Sequence, residues 1–279
     1  PRVVLIHNPD KGQSAGLNRA ASRAQGEWLV RLDGHTRYAQ DYVASSLRAL
    51  APGVAVGGPM HADGSTKWAR ATAKAMTDPL AIGPARFRHA NTVETVDTVY
   101  LGTFERERFL ELGGYRSFPS GTVGDTDFYA RWRLHGGTVM LDPAIRSWYR
   151  PRDTWRALTK QYFRYGQGKA ELLWLDKQLP SLRPIAPAML TAGFGVALIL
   201  GLAATWFPLA LLATGWLAGL GVVAARAGSS RLRTAIVAAT MHVSYGVGLW
   251  WGVLSGHPTV QTRGLGAERG PRQYPTTKH

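Results

Sequence analysis

Apolar and polar positions in the first half of the chain alternate between two periods. Residues 3–6 (Val3-Val4-Leu5-Ile6) form a short apolar run that predicts a strand, followed by the polar loop 7–12. Ser14 then stands as a helix N-cap, and Leu17, Ala20, Ala21 and Ala24 recur at the three-four spacing of a buried helical face. Gly26 ends that helix, and Trp28-Leu29-Val30-Arg31-Leu32 predicts a strand arriving at Asp33-Gly34-His35. A strand, helix, strand order with short connections predicts a parallel α/β sheet, where ligands bind beyond the carboxyl ends of the strands; Asp33 stands at such an end. Further helices are predicted over 42–50, 66–76, 106–112 and 127–135, and strands over 54–56, 96–104 and 139–141. Residues 78–94 have no clear period and predict a long loop.

From residue 146 the pattern changes. Residues 146–183 carry nine basic and three acidic side chains interleaved with aromatic rings. Trp155, Leu158, Tyr162 and Tyr165 share one helical face, and Arg156, Lys160 and Arg164 another. A basic, aromatic amphipathic helix fits a membrane interface, where rings sit at headgroup depth and cations meet anionic lipid. From Pro184 to Ala225 there is no charged side chain. That span is long enough for two membrane helices of about 20 residues each. They are expected at 185–204 and 207–225, with Pro208 opening the second, and a third at 235–254 follows the basic link Arg226, Arg231, Arg233. The positive-inside rule places that link, and with it the first half of the chain, in the cytoplasm. The third helix would then send the polar tail 257–279, expected to be disordered, outward. Its Arg263, Arg269, Arg272 and Lys278 against one Glu268 pull the other way, so the side that receives the tail stays open. The organisation expected is a catalytic domain over 1–145, an interfacial segment over 146–183, a membrane region over 184–256 and the tail, in a multi-pass protein of the cell membrane.

Composition narrows the chemistry. The chain has no cysteine, which excludes disulfides and thiolate metal sites. The net charge of +15 invites a nucleic-acid reading, but the basic residues are dispersed and their one dense cluster abuts the apolar span. Lipid or phosphosugar is therefore the better partner, and no nucleic acid is expected.

Three polar constellations carry candidate chemistry. Asp33-Gly34-His35 pairs a carboxylate with an imidazole, donors that suit Mg²⁺ or Mn²⁺ beside a diphosphate; a solvated turn is the competing reading. In Gly124-Asp125-Thr126-Asp127, one carboxylate can cap the helix that follows while the other acts as a general base. In Gln161-Tyr162-Phe163-Arg164-Tyr165, Arg164 can bind a phosphate bidentately, or belong to a helix that touches only lipid headgroups. His7, His61, His89, His135, His242 and His257 show no metal-ligand spacing, and no Ser/His/Asp motif, Walker loop or GxGxxG fingerprint occurs.

Read in order, these motifs resemble the family 2 glycosyltransferases of GT-A fold, most closely the membrane-anchored bacterial exopolysaccharide branch typified by succinoglycan glucosyltransferases. The likeness runs through Lys11-Gly12-Gln13-Ser14-Ala15-Gly16-Leu17-Asn18, Ala24-Gln25-Gly26-Glu27 and Arg31-Leu32-Asp33-Gly34-His35. It continues at Gly57-Gly58-Pro59, Gly113-Gly114-Tyr115, Gly124-Asp125-Thr126-Asp127-Phe128-Tyr129-Ala130-Arg131, the segment 161–166, and His242-Val243-Ser244-Tyr245-Gly246-Val247-Gly248. The resemblance implies an α/β fold: a partial GT-A, Rossmann-like domain, then an interfacial amphipathic helix and a transmembrane helical region. It implies that Asp33 is the first acid of the family's Asp-x-Asp motif and that His35, in place of the final Asp, shares a divalent metal with it. Asp125 matches the catalytic base of the Glu-Asp motif, with Gly124 in place of Glu. Gln161 and Arg164 look like the Gln-x-x-Arg-Trp motif, with Tyr165 for Trp; with Asp127 they fall on the acceptor and diphosphate side. Lys11, Gly12, Asn18, Asp33 and Arg164 fall on the donor side.

The reaction implied is a single inverting displacement from a nucleotide-sugar donor, a UDP-sugar in particular, to a polyprenyl-diphosphate-linked saccharide or growing polysaccharide, with Asp125 removing the acceptor's proton. Two motifs with which the family opens, a Pro-x-x-Asn-Glu-like turn and an Asp-rich turn, are not matched. The chain opens at Pro1, without an initiator Met. It is accordingly expected to begin inside the fold, lacking the first strands. A non-catalytic membrane-associated relative of such transferases, serving as a scaffold, is the competing class.

Overall fold

The computed structural model describes residues 3–83, 91–176, 185–256 and 258–261. Helix α1 (Gln13–Arg23) buries Ala15, Asn18 and Ala21 and leads to strand β1 (Trp28–Val30). Then follow β2 (Thr36–Tyr38), α2 (Tyr42–Arg48), β3 (Val54–Gly58) and β4 (Met60–Ala62). Helix α3 (Lys67–Ala75) is capped by Thr66, whose hydroxyl accepts from the Ala69 amide at 3.1 Å. The short α4 (Pro79–Ile82) is capped by Asp78, which accepts from Leu80 N at 2.8 Å. Strands β5 (Glu94–Thr95) and β6 (Tyr100–Glu105), helices α5 (Arg106–Glu111) and α6 (Gly124–Leu134), and strands β7 (Thr138–Leu141) and β8 (Ser147–Tyr149) complete this half. Four long helices follow: α7 (Trp155–Asp176), α8 (Ile185–Ala203), α9 (Phe207–Arg226) and, after a 3₁₀ turn, α10 (Arg231–Leu254).

The main sheet has the order β1-β6-β3-β7-β5 and is mixed, which corrects the parallel sheet expected from the alternation of elements. Only β3 and β7 pair in parallel, from Val54↔Thr138 to Gly57↔Leu141. Strands β1 and β3 do run the same way, but β6 lies between them, antiparallel to both. The carboxyl ends of β1, β3 and β7 thus share one edge. Over that edge sits a second sheet, β2-β8-β4, whose strands of three residues are too short to show a period in sequence.

Two further expectations are corrected. Residues 3–6 form no strand: Val3 is 90 % and Leu5 97 % exposed, and none of the described strands pairs with them. A strand has no lasting form without a neighbour to take its hydrogen bonds. The expected loop at 78–94 contains α4 and part of β5, while 84–90 lie outside the described residues. The tail from 262 onward also lies outside them, as do His89 and His257.

The core is aromatic. Phe104, Phe109, Tyr115, Phe128 and Trp132 pack between the main sheet and helices α5 and α6, with Phe104 and Phe109 stacked at 5.3 Å. Trp132 Nε1 donates to the Gly53 and Thr138 carbonyls at 3.2 Å, so the ring is buried without an orphaned donor. A second cluster, including Met60, Met76, Leu158, Tyr162, Val237 and Met241, joins α3, α7 and α10. The apolar face of α7 is covered in this way by α10, while Arg156, Lys160 and Arg164 stay exposed.

Candidate active site

Beyond β1, the Arg31 amide donates to the Gly102 carbonyl at 3.1 Å, carrying the sheet pairing one residue further. Residues two apart on a strand share a face, and Arg31 and Asp33 meet there. Arg31 Nε donates to Asp33 Oδ1 and Nη2 to Oδ2, both at 3.0 Å, with the two side chains only 10 % and 9 % exposed. The turn is fixed from behind: Thr36 N donates to the Asp33 carbonyl at 3.1 Å, and the Tyr38 hydroxyl both accepts from Asp33 N at 2.5 Å and pairs with its carbonyl oxygen at 3.0 Å. Gln13, at the start of α1, reaches Asp33 Oδ2 at 3.4 Å.

The Arg31 guanidinium also lies over the Tyr115 ring, 5.6 Å from its centroid. Burial works against its charge, but Tyr115, Asp33 and Asp125 outweigh burial and hold its pKa above the ordinary value. Arg31 therefore links the end of β1 electrostatically to Asp125.

Helix α6 begins at Gly124, earlier than the 127–135 predicted, so Asp125 and Asp127 both fall in its first turn, where the helix dipole favours carboxylates. Their environments differ. Asp127 is 1 % exposed and fully engaged: Oδ1 accepts from Arg116 Nη1 at 3.0 Å, and Oδ2 from Arg131 Nε at 3.0 Å and Nη2 at 2.8 Å. Arg131 in turn donates to the Leu112 and Gly114 carbonyls, so Asp127 fastens α6 to the loop after α5 and has no oxygen to offer a substrate. Asp125 is half-buried, with Oδ1 accepting from Thr126 N at 2.8 Å.

The loop before Asp125 is held by α7. Glu171, itself buried, accepts from Ser120 N at 2.9 Å and Ser120 Oγ at 2.6 Å, and the Thr122 hydroxyl donates to the Arg164 carbonyl at 3.1 Å. Burial pushes the Glu171 carboxyl up, and the two Ser120 bonds oppose that. Lys169 Nζ reaches Thr126 Oγ1 at 3.4 Å; burial pushes its pKa down, and the Asp125 charge opposes it.

Two turns before Lys169 the same helix meets Tyr149, which stands beside the Asp33-Gly34-His35 turn. His35 stands edge-on to Tyr149 with ring centroids 5.7 Å apart. The Tyr149 hydroxyl accepts from Gln161 Nε2 at 3.0 Å, and Gln161 also donates to Tyr165 OH at 2.9 Å. Helix α7 is thus linked to both motifs, indirectly through Tyr149 of β8 on one side and through Arg164, Lys169 and Glu171 on the other. The Arg164 side chain is exposed.

Asp33 and His35 do not fit a divalent cation in this arrangement. Both Asp33 oxygens are taken by a guanidinium, His35 packs on Tyr149, and among the described residues no three His, Asp or Glu side chains converge as metal ligands. On the donor side, Asn18 is fully buried and clamps Tyr115 through its backbone, donating to the carbonyl at 2.8 Å and accepting from the amide at 2.9 Å. It shapes the bed of Arg31 and presents nothing to a ligand. Lys11 is exposed in a left-handed backbone conformation (φ 55°), and Gly12 occupies the N-cap of α1.

Motif reading gave no role to Arg31 or Tyr115, though both stand in stretches of the likeness, and did not single out Tyr149, Lys169 or Glu171. Arg31 carried a usable signal, its two-residue strand spacing from Asp33; Lys169 lies eight residues beyond Gln161, two turns along the same helix.

Residues 1–111 match the model of Glycosyl transferase family 2. The chain is similar to the Succinoglycan biosynthesis protein ExoA of Rhizobium meliloti (strain 1021), 28 % identical over 259 residues that cover 90 % of this chain and 77 % of that protein. No solved structure matches the chain. Residues 1–111 therefore carry a family 2 glycosyltransferase domain, and the protein is a glycosyltransferase.

Proposed function

We propose that the protein moves a sugar, with inversion, from a nucleotide-sugar donor of the UDP-sugar class to a lipid-linked saccharide at the cytoplasmic face of the cell membrane, in exopolysaccharide assembly. Asp125 is the general base in this reading. It takes the proton of an acceptor hydroxyl as that oxygen bonds to the anomeric carbon and the bond to the diphosphate breaks. The mixed sheet is read as part of a GT-A domain, with the donor over the shared carboxyl edge of β1, β3 and β7. The observation that carries the proposal is the contrast at the start of α6. Asp127 is locked by two arginines, whereas the half-buried Asp125 is bonded only to its own helix terminus among the described residues, with Arg31 and Lys169 in electrostatic reach. Such fixed charge offsets the charge gained by a departing diphosphate, in the manner that commonly supplies the largest catalytic effect. Similarity to a succinoglycan biosynthesis protein supports the substrate class.

The test is Asp125→Asn in the full chain, assayed for sugar transfer and for donor binding. Loss of a general base costs about 10²–10⁴-fold in rate, with donor affinity kept. Undiminished transfer overturns the assignment.

A further inference from the structure

The link between α9 and α10 is basic and has no counter-charge of its own. Between Asp176 and Glu268 the chain carries no acidic residue. Carboxylates for Arg226, Arg231 and Arg233 would have to come from the first half of the chain, where α3 packs against the start of α10. Helix α3 has none, and the two acids that flank it are taken: Asp63 meets Arg37 at 3.2 Å, and Asp78 meets Arg226 at 3.6 Å. Among the described residues Arg231 and Arg233 have no carboxylate partner, and both are exposed.

These two arginines line an open cleft of about 780 Å³ together with Ser229 and Ser230 of the 3₁₀ turn (Gly228–Ser230), Leu232, and Trp68 of α3. That volume is in the range of small-molecule sites. A guanidinium takes a phosphate by two parallel bonds, and a hydroxyl adds a further donor. No carboxylate lines the cleft to oppose an anion. An indole at the same level suits headgroup depth.

The cleft continues into apolar ground. Ile236 lines it and also lines a second groove, of about 310 Å³, between α9 and α10. The two helices run antiparallel there, with Trp216 Nε1 donating to His242 Nδ1 at 3.2 Å. The groove walls are Leu217, Leu220, Gly221 and Ala224 of α9 and Ala235 and Ala239 of α10, none of which has a polar side chain. Leu217, Leu232 and Ile236 are exposed, so both recesses open outward.

A basic, hydroxyl-lined head joined to an apolar furrow fits one amphiphile. A soluble phosphate would leave the furrow unfilled, and a neutral lipid would leave the two arginines without a charge to meet. Position separates this place from the chemistry. Helix α10 has 24 residues, about 36 Å at about 1.5 Å each. Only past its far end does the chain reach Val260, which packs on Phe118 and Val123 in the loop before Asp125. The cleft thus stands about a helix length from the candidate base, apart from the site of transfer.

We infer that the cleft at the start of α10 holds the phosphate of an anionic phospholipid, with an acyl chain in the α9–α10 groove. Basic pockets between membrane helices recognise anionic lipid in this way. The headgroup bridges α3 and the membrane helices beside the contacts that already join them, Lys74 to the Ala227 carbonyl and Arg226 to Asp78. The inference rests on the reading of the protein as membrane-associated; Asp125 enters only in setting the cleft apart from the site of transfer.

The test uses the full chain purified in a neutral detergent, with native mass spectrometry to count retained lipid and the melting temperature to read its effect. Phosphatidylglycerol should be retained and raise the melting temperature. Phosphatidylcholine with the same chains, and inorganic phosphate, should do neither at equal concentration. Arg231→Gln combined with Arg233→Gln should weaken retention about thirtyfold, the loss expected of two cations near an anionic surface. Ile236→Trp, which fills the junction of the two recesses, should weaken it as well. Equal retention of phosphatidylcholine, or undiminished retention of phosphatidylglycerol by the double variant, overturns the inference. A melting-temperature rise with inorganic phosphate as large as with phosphatidylglycerol would reduce the cleft to an anion site, and tighter retention of polyprenyl phosphate would make it a carrier-lipid site. Either result overturns the assignment to phospholipid. The comparison among lipids needs no variant, so it decides the matter even if a variant misfolds. Asp125→Asn should hold the lipid as the parent does, and recovery of the protein in the soluble fraction would sink the membrane reading by itself.

Discussion

Arg31 grips both oxygens of Asp33, at 3.0 Å each, in a site where the two side chains are about nine-tenths buried. Removing one partner of such a pair strands the other charge, at a typical cost of about 3–5 kcal/mol. Arg31→Gln is expected to lower stability by that order and to weaken donor binding. Arg31→Lys keeps the charge without the two parallel donors and should fall between. Denaturant unfolding of the purified protein checks this; an Arg31→Gln variant as stable as the parent would show that the pair does not hold the turn.

The neighbouring carboxylates of α6 should separate stability from activity. Asp127→Asn leaves the buried Arg131 without its counter-charge and is expected to cost about 3–5 kcal/mol, with transfer lost because the fold is lost. Asp125→Asn gives up only a half-exposed charge at a helix start, about 0.3–1 kcal/mol, while transfer falls. Thermal unfolding and turnover measured on both variants check it, and equal destabilisation would erase the distinction.

Most helices could be read from their apolar spacing, because a buried face repeats every three or four residues; α1, α3 and α5 follow from Leu17, Ala21, Ala69 and Phe109. What could not be read is pairing between distant segments. Strand β6 enters between β1 and β3 after a connection of some forty residues counted from β3, and no local pattern announces that insertion. The same holds within the site. Asp33, His35, Asp125, Gln161 and Arg164 stand out as motifs, but the bonds from Gln161 to Tyr149 and from Glu171 to Ser120, which decide how α7 holds those motifs, join residues that form no motif. Asn18 and Asp127 stood in motifs as well; burial turned both into structural clamps.

Lys169 sets stability against function. Its folded-state pKa is lowered from 10.5 by burial, against the opposing charge of Asp125. Between that lowered value and about 10.5 the unfolded chain holds more protons, so the contribution of Lys169 to stability is present above 10.5 and is lost as pH falls through the folded value. Lys169→Met removes this dependence. It is expected to be at least as stable as the parent at neutral pH and to show a flatter rise in melting temperature toward pH 10.5, yet to transfer sugar more slowly because Asp125 loses a nearby cation. Melting curves across that range, paired with turnover, check both halves; full activity in Lys169→Met would remove the residue from the site.

Glycines set the distance between α7 and α10. A Cβ at Gly248 would meet the Phe163 backbone, its carbonyl oxygen and, at 2.7 Å, its carbonyl carbon, and one at Gly252 would meet Ala170 Cβ at 2.6 Å. Backbone has no rotamer by which to retreat, so the helices themselves must part. Overpacking of this kind typically costs about 1–3 kcal/mol. The effect should reach the site, because α7 carries Gln161, Lys169 and Glu171 toward Tyr149, Thr126 and Ser120. Gly248→Leu is therefore expected to lower both the melting temperature and the transfer rate. Gly215→Ala on α9, where an added Cβ meets nothing within 4 Å, should leave transfer unchanged and gain about 0.8–1.0 kcal/mol of helix propensity. Turnover of the two variants in the same membranes separates a positioning contact from general sensitivity of the membrane region, and a Gly248→Leu variant with parental activity would mean that α7 holds the site without α10.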